Sequence, residues 1–353
     1  MSTTTTSTVT SRITPEVAEM AVVRRNVITD LSARDGYIRG VNLLKQESTT
    51  LQTTAFGIPG PAAPVRTYDL FVIWHHRAMT TPVPPTGDWM VRNGAHRGPV
   101  FLPWHRVMLA YLEANLQRVL NDPGFALPYW DWSIDGSLPS PASQPIWTQE
   151  WMGGPGNPIS TGPFVFEAAD PKSFRVRVET DSSLRLVQAN RGLRRGLGKL
   201  PPQGTASSTT LPTALDVGAA FNTLPVLGGD PDLATYDFAP WDAGSKGFRN
   251  RLEGFIGTGL HNQVHRWVGG DMGPASSPND PIFYLHHCNV DRLWEGWMHH
   301  HGRSYAPPMT ASADLLGHRI DDPIVTPLGP NAPGGTPRLT LDFTAEYTYD
   351  LVP

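Results

Sequence analysis

The chain has 353 residues, 39% of them hydrophobic and 17% charged, with a net charge of −4. That is the profile of a folded chain, not of a disordered or membrane-embedded one, and the charge gives no footing for a nucleic-acid partner. The single cysteine, Cys288, excludes an internal disulfide, CxxC zinc sites and iron–sulfur clusters, so any metal must be held by imidazole or carboxylate.

Gly (34) and Pro (35) together make about a fifth of the chain, against ~12% on average, so long ordered loops over a compact core are expected. The first twenty residues, MSTTTTSTVTSRITPEVAEM, are polar and Thr-rich. They hold no apolar core of the kind a secretory signal needs, and none follows Arg24-Arg25. No run approaches the ~18 apolar residues of a membrane span. The expectation is a cytoplasmic protein, although export on a carrier protein would leave no trace in the sequence.

Residues 1–15 read as a disordered lead-in and 16–353 as a single domain. Within it, residues 16–35 have helical character, with Pro15 suited to the first turn. Tyr68 to Met79 (YDLFVIWHHRAM) reads as a buried helix. Pro103 to Leu120 is amphipathic, with Val107, Leu109, Leu112, Leu116 and Leu120 at roughly helical spacing and Asn121-Asp122-Pro123-Gly124 as its stop. Residues 135–245 read as a loop-rich excursion with local helices and strand-like pieces such as Phe174 to Val178. Phe248 to Val268 is helical at both ends with a glycine-rich middle. Asp280 to His301 is a second strong helix, with Asp280 at the N-cap and Pro281 in the first turn. A tail, 303–353, closes with a strand-like stretch from Arg338 to Leu351. The expected fold is mainly α: four helices in two pairs, forming a four-helix bundle core that spans 22–302, with long loops and a few short strands. Such bundles place metal sites between facing helices.

The 12 histidines cluster. His75, His76, His96 and His105 fall in the first helix pair. His261, His265, His286 and His287 fall in the second, followed by His299 to His301 and a lone His318. His261 and His265, in HNQVH, lie one turn apart on one helix face. Alone this is a weak signal, and HNQVH lacks the glutamate of a zincin HExxH. The apolar setting strengthens it. His287 lies among Phe283, Tyr284, Leu285 and Trp294, and the first group among Trp74, Phe101 and Trp104. Imidazoles buried there need partners, and one metal satisfies three at once. Neutral imidazoles without carboxylate or thiolate suit copper, or zinc in an open catalytic site. Doubling the set favours two coppers, because two Cu(I) ions can each give one electron to O2.

Here the residues resemble a known family. HRGPVFLPWHR (His96 to Arg106), LHNQVHRWVGGDM (Leu260 to Met272) and SPNDPIFYLHHCNVDRLW (Ser277 to Trp294) resemble, in order, signatures of the type 3 copper proteins, specifically bacterial tyrosinases and related o-aminophenol and catechol oxidases. PYWDWS (Pro128 to Ser133) and FAPWDAGSKGFRNRLEG (Phe238 to Gly254) are also similar. The resemblance covers roughly residues 22–302. It implies two copper ions, the first held by His75, His96 and His105 and the second by His261, His265 and His287, with O2 as co-substrate. His76 and His286 would then be structural neighbours.

The resemblance also implies that Glu253 and Asn262 hold a water that deprotonates the incoming phenol, whose pKa of ~10 otherwise keeps it protonated near neutrality. Taken alone, Glu253 reads as a solvated helix glutamate and Asn262 as a surface amide. Phe283 would pack on a ligand imidazole. Asp291 and Arg292 would fix ligand orientation. The small residues Gly273-Pro274-Ala275-Ser276 would leave the site mouth open. Gly94 stands where some relatives carry a cysteine joined to an imidazole, so no such link is expected, and Cys288 reads as a buried free thiol. Tyr347-Thr348-Tyr349 would close the core, pairing with Arg25.

The implied function is a copper-dependent oxidase that uses O2 to convert o-diphenols or o-aminophenols to o-quinones or quinone imines, with tyrosinase-type monophenol hydroxylation. The partner would be a small phenolic, catecholic or aminophenolic substrate, with a copper-delivering caddie protein as a further one. The alternatives are an o-aminophenol or catechol oxidase without monophenolase activity, an O2 carrier of the hemocyanin type, and a mononuclear zinc hydrolase.

Overall fold

The computed structural model describes residues 21–198, 210–221, 234–237, 247–254, 259–325 and 335–353. The expected lead-in 1–15, and parts of the 135–245 excursion and of the 238–254 motif, lie outside the described residues.

The chain enters through β1 (Val22–Arg24) and then α1 (Leu31–Gln46). Of the helix expected over 16–35, residues 16–20 lie outside the described residues, 22–24 are strand and 31–35 are helical, so the expectation is corrected to a helix that starts at Leu31. Asp30 is the residue that starts α1, its Oδ1 accepting from Ala33 N at 2.9 Å, a side-chain cap that satisfies one of the free N–H groups of the first turn. α1 packs on α3 (Phe101–Leu120) through Gly40, where an added Cβ would come within 2.6 Å of Leu116. β2 (Ser48–Gln52) and β3 (Pro64–Arg66) pair antiparallel ahead of α2 (Thr67–Thr80). α2 is buried on nearly all sides, as its apolar sequence requires. α3 stops at Asn121, in the left-handed conformation with φ 53°, a role to which asparagine is suited.

The excursion contributes α4 (Trp132–Gly136), the antiparallel pair β4 (Val176–Thr180) and β5 (Leu186–Arg191), and α5 (Ala214–Ala220). α6 (Phe248–Glu253) and α7 (Leu260–Val268) flank the glycine-rich middle expected from the sequence. α8 runs Ile282–His301. The N-cap expected at Asp280 is corrected to Pro281, one residue later, because the helix begins only at Ile282; Asp280 Oδ1 still accepts from Ile282 N at 3.0 Å. α8 packs on both α3 and α7. The strand expected over Arg338–Leu351 shrinks to a short 3-10 turn (Pro337–Thr340) and β6 (Tyr347–Tyr349), which pairs in parallel with β1 and ties the two ends of the described chain together. Among the described residues no helix is long and apolar enough to cross a membrane.

Candidate metal centre

α2 carries His75, the loop between α2 and α3 carries His96, and α3 carries His105. These three each offer a ring nitrogen within 4.8 Å of the others. α7 supplies His261 and His265, and α8 supplies His286 and His287, which form a second group by the same measure. The i, i+4 spacing of HNQVH brings the His261 and His265 rings to 4.5 Å. The two groups face each other. His105 and His287 stack at 4.1 Å with their planes 6° apart, and His96 lies 5.7 Å from His261.

Ring orientation is set by hydrogen bonds at Nδ1. His75 donates to Ala275 O at 2.7 Å, His105 to Phe101 O at 2.8 Å, His265 to Met272 O at 2.7 Å and His261 to Asn262 Oδ1 at 3.0 Å. A proton fixed on Nδ1 leaves the Nε2 lone pair for a metal. Among the described residues the buried Nε2 atoms of His75, His105 and His261 have no hydrogen-bond partner, and those of His265 and His287 approach to 3.5 Å. Each orphaned buried nitrogen costs about 1–3 kcal/mol unless something satisfies it. Burial pushes His75 down to about 3 and His265 to about 4, and holds His96, His105, His261 and His287 well below the usual range. The rings are therefore neutral, the form that binds metal. Two all-imidazole donor groups, buried except for the half-buried His265, with nitrogens aimed inward, fit a pair of copper ions.

The doublets resolve differently. His76 turns away, its Nε2 bonding Leu184 O at 3.1 Å in the turn between β4 and β5. His286 does not turn away: it is fully buried, stacks on His261 at 5.1 Å, and neither ring nitrogen has a hydrogen-bond partner among the described residues. Expected as a structural neighbour, it falls by position in the second group.

Glu253 is no solvated glutamate. It is buried, with Oε1 accepting from Arg97 N at 2.6 Å and Oε2 from Arg249 at 2.6 Å. Burial raises its pKa and the Arg249 guanidinium opposes the shift. Its backbone oxygen lies 3.3 Å from His261 Nδ1, the atom that Asn262 also holds. Phe283 packs on His287 at 4.2 Å and on His75 at 5.1 Å.

Asp291 and Arg292 act one step further out than expected. Asp291 binds Arg106, the neighbour of His105, at 2.6 Å and accepts from the hydroxyls of Tyr347 and Tyr349 at 2.6 Å each. Arg292 binds Asp131 and Asn289. The arginine that meets the tail tyrosines is Arg24, which lies 3.4 Å above the Tyr347 ring and donates to Tyr349. Arg25 is half exposed and faces Asp30. Cys288 is a buried free thiol, pushed up to about 12 by burial. The sequence reading missed the carbonyls of Phe101, Met272 and Ala275. Every residue carries such a group, so no sequence signal marks the ones that orient a ring.

A helical core holding two facing groups of neutral histidines, all but His265 buried, defines a binuclear metal protein. Residues 65–300, over half of the chain, match the family model described as the common central domain of tyrosinase. The chain is 38% identical over 288 residues to a tyrosinase of Streptomyces antibioticus, covering 80% of this chain and 89% of the relative. It is 34% identical over 310 residues to grixazone synthase of Streptomyces griseus, covering 80% and 90%. The chain belongs to the tyrosinase family, and with it to the type 3 copper oxidoreductases, whose dicopper centre uses O2 to oxidise phenols. Its fold is similar to that of a polyphenol oxidase from Thermothelomyces thermophila (TM-score 0.55, 20% identity, 93% of this chain and 88% of that one). It is also similar to a functional unit of octopus hemocyanin (TM-score 0.52, 18% identity, 94% and 69%).

Proposed function

We propose that the protein oxidises o-diphenols or o-aminophenols to o-quinones or quinone imines and also hydroxylates monophenols, with His75, His96 and His105 holding one copper and His261, His265 and His287 the other. The observation that carries this is the set of Nδ1 hydrogen bonds at His75, His105, His261 and His265, which turn four imidazoles toward a common interior. In this reading α2, α3, α7 and α8 form a four-helix bundle around the centre. His287 is preferred to His286 because its Nε2 approaches that of His265 and its ring stacks on His105.

Bound there, the coppers supply the electrons that reduce O2 and the Lewis acidity that holds a phenolate. The chain's own residues do the rest. Phe101 and Phe283 wall the site, packing on His261 and His287. A water bridging the Glu253 carboxylate and the Asn262 amide takes the phenol proton, and a buried carboxylate with a raised pKa is a better base than an exposed one. The ligands are buried, which favours delivery of copper by a partner protein.

A second reading, catechol or o-aminophenol oxidation without hydroxylation, has an observation in its favour. Both Glu253 oxygens already accept hydrogen bonds, and the Asn262 oxygen is engaged by His261. Copper-loaded protein assayed side by side on tyrosine, catechol and o-aminophenol decides between them. Turnover of all three supports the first reading. Turnover of the last two without tyrosine hydroxylation leaves the second.

A further inference from the structure

We propose that the tail acts as a positioning element for His96, through contacts of His318 and Val325 with the loop that carries it. This rests on the assignment of His96 to the first copper. His96 differs from the other members of its group: it lies on a loop between α2 and α3, and its buried Nδ1 has no hydrogen-bond partner among the described residues. Among the described residues no acceptor fixes its ring as Ala275 O and Phe101 O fix His75 and His105, which leaves its placement to the backbone of the loop.

That backbone is gripped from both sides. Within the loop, Asn93 Oδ1 accepts from Ala95 N and His96 N at 3.2 and 2.8 Å. Arg97, at the left-handed φ of 63°, donates its N–H to Glu253. The tail supplies the rest. The His318 ring lies so close to Gly98 that an added Cβ would sit 2.5 Å from its Cε1, and its Nδ1 is 3.5 Å from Val100 N. Val325 covers Gly94, where a Cβ would meet its methyl at 2.7 Å. The Val325 carbonyl accepts from both Trp74 and Trp104, at 3.1 and 2.9 Å, which pins this part of the tail to α2 and α3 beside His75 and His105.

His318 is itself held rigidly. The N–H groups of its neighbours Gly317 and Arg319 donate to Asp322 at 2.7 and 2.9 Å, and its own carbonyl accepts from Tyr305 at 2.7 Å. The Tyr305 ring packs, tilted, at 4.8 Å against Tyr236, whose hydroxyl donates to Pro99 O at 2.5 Å, inside the His96 loop. Loop and tail therefore form one closed set of contacts.

The test is a copper titration of the full chain, read as equivalents bound and as the Cu(II) paramagnetic resonance signal, with thermal melting of the metal-free protein alongside. His318→Ala and Gly98→Ala should each weaken one of the two coppers by about 10-fold or more, the scale of losses when an orienting partner is removed. An uncoupled Cu(II) signal should then appear at partial loading. Gly98→Ala/His318→Ala, in which the added methyl finds room, should recover part of the loss seen in Gly98→Ala. Leu186→Ala, a buried change in β5, should lower the melting temperature and keep both coppers. A folded His318→Ala with two coppers at wild-type affinity overturns the proposal. If His318→Ala does not fold, Gly98→Ala with both coppers at wild-type affinity overturns it, as does a double variant no better than Gly98→Ala. Wild type that binds fewer than two coppers contradicts the dicopper assignment instead.

Discussion

His105 on α3 and His287 on α8 stack face to face, 4.1 Å between centroids and 6° between planes, although they fall in different histidine groups. Stacking of this kind contributes only about 0.5–1.5 kcal/mol, so its importance is positional: the two groups share a wall, and each ring limits the tilt of the other. Replacing either histidine with alanine should therefore lower kcat/KM for catechol by more than the ~10–100-fold that loss of an orienting partner costs. It should also weaken binding of both coppers rather than one. Copper equivalents retained after dialysis measure this, and a variant that keeps one copper at full affinity contradicts it.

Asn262 faces His261 Nδ1 as well as the region assigned to the phenol proton. The two roles separate by variant. Asn262→Asp keeps an acceptor for His261 and should retain copper, while Asn262→Ala should lose copper affinity by about 10–100-fold. If Asn262 also holds the water with Glu253, Asn262→Ala saturated with copper should lose tyrosine hydroxylation more than catechol oxidation. Equal losses of kcat/KM on the two substrates would leave Asn262 only its orienting role.

The fully buried Arg24 joins β1 to α3 through Glu113 at 3.0 Å and to β6 through the tail tyrosines. Removing one partner of a buried pair costs about 3–5 kcal/mol, whereas replacing both with apolar groups costs far less. Arg24→Met should therefore be strongly destabilising in urea unfolding, and Arg24→Met/Glu113→Leu less so. A double variant less stable than the single one would sink this account of the closing contact.

In the metal-free protein the folded pKa of His75 is about 3 and that of His265 about 4, both below the unfolded value of 6.5. Between these limits the unfolded chain binds more protons, so the stability due to these residues is complete above pH ~6.5 and is lost as pH falls toward the folded values. Melting temperature of the metal-free protein should drop steadily from pH 7 to about pH 4.5. His75→Phe should reduce that slope. A flat profile contradicts the placement of neutral, buried imidazoles.

What could be read from the sequence was local. α2, α3 and α8 announce themselves because each is an apolar run of helical length with histidines inside it, the pattern of a buried helix. HNQVH shows its geometry directly, since four residues make one turn. What could not be read depends on contacts far along the chain. His76 is decided by a carbonyl in the β4–β5 turn, and His286 is drawn into the site by the approach of α7. The choice of Arg24 over Arg25 follows from strand alternation, where a shift of one residue changes the face, and a three-residue strand paired with β6 gives no local pattern to reveal it. Glu253 reads as a surface residue until Arg249 and the Arg97 N–H are brought to it by folding.

The central claim is that the two facing histidine groups hold a copper pair that oxidises phenols. The most direct measurement is O2 uptake by protein reconstituted with two equivalents of copper and supplied with catechol, with His287→Ala as the paired sample. The account predicts O2 consumption with quinone formation that is absent from the metal-free protein and lost in the variant. Two coppers bound with no O2 uptake, or uptake unchanged in His287→Ala, would contradict it.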